Sequence, residues 1–65
     1  MKPKIIARRG EMSYLIIEVD DVICAARYNE RLHCYVDIIP YGNPVDAIEH
    51  CKRGAKGEWF DKIFS

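Results

Sequence analysis

Ser13-Tyr14-Leu15-Ile16-Ile17-Glu18-Val19-Asp20-Asp21-Val22-Ile23-Cys24-Ala25-Ala26-Arg27-Tyr28 is the stretch on which the fold turns. Two runs rich in β-branched and aromatic residues, each of strand length, flank an acidic pair suited to a tight turn. If Asp20-Asp21 is the whole loop, Val19 falls opposite Val22, Ile17 opposite Cys24 and Leu15 opposite Ala26. These six side chains then share one face, because the period of a strand is two and a one-residue slip would turn each strand over. The stretch reads as an antiparallel hairpin.

Working outward, Asn29-Glu30-Arg31 is a polar break of hairpin-loop length, followed by a further strand, Leu32 to Ile39. A three-residue loop brings Ala26 opposite Cys34, Cys24 opposite Val36 and Val22 opposite Ile38. On the N-terminal side, Lys4 to Arg8 is a short first strand and Arg9-Gly10-Glu11 its turn. The expected core face is therefore Leu15, Ile17, Val19, Val22, Cys24, Ala26, Leu32, Cys34, Val36 and Ile38. Ile5 and Ala7 join it if the first turn also has three residues.

Pro40-Tyr41-Gly42 stops the last strand, and Asn43-Pro44-Val45-Asp46 starts a helix, with Asn at the N-cap, Pro at the first helical position and Asp at the third. Val45, Ile48 and Cys51 recur at helical spacing beside Ala47 and Ala55, while Asp46, Glu49 and Lys52 take the outer side. Lys52, Arg53 and Gly54 read as the helix end, with Gly54 in the left-handed conformation. The tail, Glu58 to Phe64, pairs Trp59, Phe60, Ile63 and Phe64 in a short helical turn with an apolar side. The expected fold is α+β: a single domain, residues 1–65, with an antiparallel meander of three to four strands, one following helix packed on one face, and that C-terminal turn.

The 65 residues carry ten basic and ten acidic side chains, so the field typical of nucleic-acid binders is missing from the molecule as a whole. Three cysteines, an odd number without CxxC spacing, argue against the disulfide framework of a small secreted domain. No apolar run has the length of a signal-peptide core or a membrane span. The expected location is cytoplasmic, with no membrane contact.

Cys24, His33, Cys34, His50 and Cys51 include two adjacent His-Cys pairs, yet neighbours on a strand point to opposite faces and the spacing matches no zinc pattern. The cysteines read better as small buried hydrophobes. A Cys-His nucleophile lacks an orienting third group, and no glycine loop is built for phosphate. The expectation is a protein without catalytic residues, metal or cofactor.

The face opposite the expected core carries Tyr14, Ile16, Glu18, Ile23, Ala25, Arg27, His33, Tyr35, Asp37 and Ile39, which is apolar for a solvated surface. Tyr and Arg are enriched where proteins meet, so Tyr14, Arg27, His33 and Tyr35, with Trp59, Phe60 and Phe64 of the tail, are the candidate partner-binding residues. The expected partner is another protein, with a homodimer as one form of it, and the role is that of a small regulator or inhibitor such as phages and mobile elements encode. The competing expectation is nucleic-acid binding through the outer face and two basic groups: Lys2, Lys4, Arg8 and Arg9, and Lys52, Arg53 and Lys56.

A three-stranded sheet followed by a helix is similar in outline to the arm-type DNA-binding modules of phage integrases and to the last part of double-stranded-RNA-binding domains. Here the outward face offers Arg27 and His33 against Glu18 and Asp37. Asn43-Pro44-Val45-Asp46 stands where the RNA-binding family has a lysine-rich helix start. The resemblance therefore carries over no site residue.

Overall fold

The computed structural model describes residues 2–59 and contains four strands and a helix: β1 (Lys4–Arg9), β2 (Met12–Val19), β3 (Val22–Asn29), β4 (Cys34–Pro40) and α1 (Pro44–Ala55). The strands form one antiparallel sheet in the order β1-β2-β3-β4, with α1 laid against it. This is the α+β meander expected from the sequence. Of the expected C-terminal turn, only Glu58 and Trp59 fall within the described residues.

The central hairpin keeps the phase that its apolar residues require, with Val19 opposite Val22, Ile17 opposite Cys24 and Leu15 opposite Ala26. Asp20 and Asp21 take φ values of 51° and 65°, the left-handed pair whose twist matches that of the flanking strands. The outer strands depart from expectation. The first loop is Gly10-Glu11 alone, so Arg9 pairs with Met12, and an irregularity between Ile5 and Ala7 resets the register. Ile5 therefore lies opposite Leu15 while Ala7 lies opposite Tyr14. Only Ile5 joins the face of Leu15.

Between β3 and β4 the loop is Glu30–His33, longer than expected, because the Asn29 side chain captures it. Asn29 Oδ1 accepts from the backbone N–H groups of both Arg31 and Leu32, each at 2.9 Å. Leu32 consequently sits exposed in the turn and β4 begins at Cys34. A bulge at Arg27/Tyr28 then brings Ala26 opposite Ile38, Arg27 opposite Asp37 and Tyr28 opposite Tyr35.

The largest correction concerns which face the helix covers. It packs on Tyr14, Ile16 and Ala25 through Ala47 and Cys51, the face expected to be outward. Leu15, Ile17, Cys24 and Ala26 form a second cluster on the other side of the sheet. Alternation could not decide this, since both faces of β2 and β3 are apolar. Small residues did: Ala25, Ala47 and Cys51 are fully buried, and Cys51 Sγ donates to the Leu15 carbonyl at 3.3 Å, so α1 lies close to the strand backbone.

The buried stripe of α1 is correspondingly Ala47, His50, Cys51 and Gly54, at i, i+3, i+4 and i+7. Val45, expected on it, is 74% exposed. The N-terminus forms as read: Asn43 Oδ1 accepts from the Asp46 N–H at 2.9 Å and Pro44 opens the helix. The C-terminus does not. Gly54 is inside α1, and the left-handed residue is Gly57, with φ of 90°. Glu58 N–H reaches the Arg53 carbonyl and Gly57 N–H the Gly54 carbonyl, both at 2.9 Å, closing a Schellman motif.

Gly54 has a steric reason instead. A Cβ there would lie 2.5 Å from Trp59 Cε3 and 2.8 Å from the Tyr14 ring. Alanine favours a helix interior over glycine by about 1 kcal/mol, but overpacking a fitted seam costs roughly 1–3 kcal/mol. Gly54→Ala is therefore expected to lower stability in urea or thermal unfolding, whereas Val45→Ala leaves the midpoint close to that of the native chain.

Candidate functional site

The expected partner-binding residues separate into two sets. Tyr14 is only 4% exposed and faces Trp59, with ring centroids 5.6 Å apart. Trp59 also meets His50 edge to face at 4.4 Å and lies under the Arg27 guanidinium at 5.4 Å. Arg27 in turn is paired across the strands with Asp37. Tyr14, Arg27 and Trp59 thus line the helix–sheet seam, Tyr14 buried and Arg27 and Trp59 half-buried. Phe60 and Phe64 lie outside the described residues.

His33 is exposed at the β3–β4 turn with φ of 54°. Tyr35, 43% exposed, stands on the face away from α1, where its ring meets that of Tyr28 edge to face at 5.0 Å. The expected pairing of Ala26 with Cys34 would set His33 beside Arg27 and Tyr14, and Tyr35 beside Ala25 and Ile16; Asp37 and Ile39 stand in those places instead. The longer loop and the bulge are the reason.

The surface left without a layer among the described residues is the one assigned to the core from sequence. Its floor of Leu15, Ile17, Cys24 and Ala26 is buried, and around it Ile5, Val19, Val22, Tyr35, Val36 and Ile38 remain between 38% and 47% exposed. Ser13, hydrogen-bonded to Glu30 Oε2 at 2.6 Å, marks its polar margin. Such a surface favours apolar and aromatic contact. The signal missed in the sequence was Tyr28, an aromatic in phase with Leu15 and Ala26 that had no place in the expected core list.

The chain matched no family model, no curated protein and no solved structure. No three His, Cys, Asp or Glu side chains converge to hold a metal ion among the described residues. There, too, no helix is long and apolar enough to cross a membrane.

The two basic groups approach one another at Arg9. The Arg9 guanidinium lies against Gly57, which brings the end of β1 beside Lys56 at the end of α1. Part of this charge is already engaged, Arg53 with Glu49 at 3.4 Å.

Burial pushes the Cys51 thiol up to about 11, partly opposed by the backbone of Ala26. Tyr41, whose hydroxyl lies 2.6 Å from His50 Nδ1, is also raised, by desolvation first and by Asp46 second. Below about pH 8.5, the usual thiol value, Cys51 keeps its proton whether the chain is folded or not. Above that only the unfolded chain releases it, so stability falls as pH rises towards the folded value near 11. Unfolding titrations are expected to show this alkaline limb, and Cys51→Ala to flatten its first part. In thiol labelling at neutral pH, exposed Cys34 should react at once and buried Cys24 and Cys51 only on unfolding.

Proposed function

We propose that this chain is a non-catalytic protein-interaction module whose contact surface is the sheet face opposite α1. The observation that carries this reading is an apolar face, edged by the Tyr28–Tyr35 pair, over which no described element lies. A sheet apolar on one side only can rest in water; one apolar on both sides is stable when both are covered. Aromatic anchors ringed by aliphatic contacts are the usual composition of an energetic centre in an interface.

A module of this kind suits a small regulator or inhibitor of another protein, including those of phages and mobile elements, which act by occupying a surface. The free thiols of Cys24, Cys34 and Cys51 suit a reducing compartment such as the cytoplasm.

The second reading, nucleic-acid binding, loses the outer face it called for, because α1 covers Tyr14 and Arg27's neighbours. What favours it is the convergence of Arg9 and Lys56 at one corner. Salt separates the two. Phosphate-driven binding weakens steeply as salt rises, whereas an apolar protein contact changes little. The expected outcome is a complex with another protein chain that survives high salt, is weakened about tenfold or more by Tyr35→Ala, and is indifferent to reversing Arg8, Arg9 and Lys56. The opposite pattern, with nucleic acid as the ligand, would sink this reading.

A further inference from the structure

We draw no further inference here: the strongest candidate, the sheet face away from α1 where Tyr35, Val36 and Ile38 stand partly exposed beside the buried centre of Leu15, Ile17, Cys24 and Ala26, belongs to the site already described, and nothing in the structure shows what covers it.

Discussion

Everything in the described structure follows from the closeness with which α1 lies on β2 and β3. Ala25 on the sheet and Ala47, Cys51 and Gly54 on the helix keep side-chain bulk out of the contact, and Cys51 reaches a strand carbonyl. Dispersion attraction falls off steeply with separation, so a close seam of small groups compensates for the few large side chains within it. The rings of Tyr14 and Trp59 then close the seam at its side, Trp59 packing where Gly54 leaves room. The Schellman turn at Gly57 lets the chain reverse and bring Trp59 back to that position.

The same packing determines what is left over. A helix can cover one face of a four-stranded sheet, and this sequence placed apolar residues on both. Leu15, Ile17, Cys24 and Ala26 cluster among themselves, and their neighbours remain partly exposed. In a small domain, which buries a modest share of its surface, an apolar face of this size is a considerable fraction of the association free energy available to it. The functional case arises from that surplus.

Much of the fold was legible in advance. The Asp20-Asp21 turn fixed the β2–β3 register because any other loop length would have put apolar side chains out of phase, and Asn43-Pro44-Val45-Asp46 marked the helix start through backbone groups that must find partners. The outer strands were less legible. One side-chain amide, that of Asn29, lengthened a loop, and bulges in β1 and β4 absorbed the mismatch. Of the candidate site, Tyr35 was placed on an accessible surface, whereas Tyr14, read outward, is buried, and Arg27 and Trp59 are half-buried beside it in the helix–sheet seam.

By itself the sequence determined the elements, their order and the pairing at the centre of the sheet, since these depend on local hydrogen bonding, turn geometry and a period-two pattern. It did not determine which face the helix would take. Leu15 and Ile16, or Ala25 and Ala26, are nearly equivalent in hydrophobicity, so no count of apolar residues distinguishes the two sides. Tertiary structure made that choice through shape: the small stripe of α1, the return of Trp59 and the Arg27–Asp37 pair fit together on one side only. That choice put the helix on the expected surface and left the expected core face with a buried centre of Leu15, Ile17, Cys24 and Ala26 and half-exposed aliphatics around it.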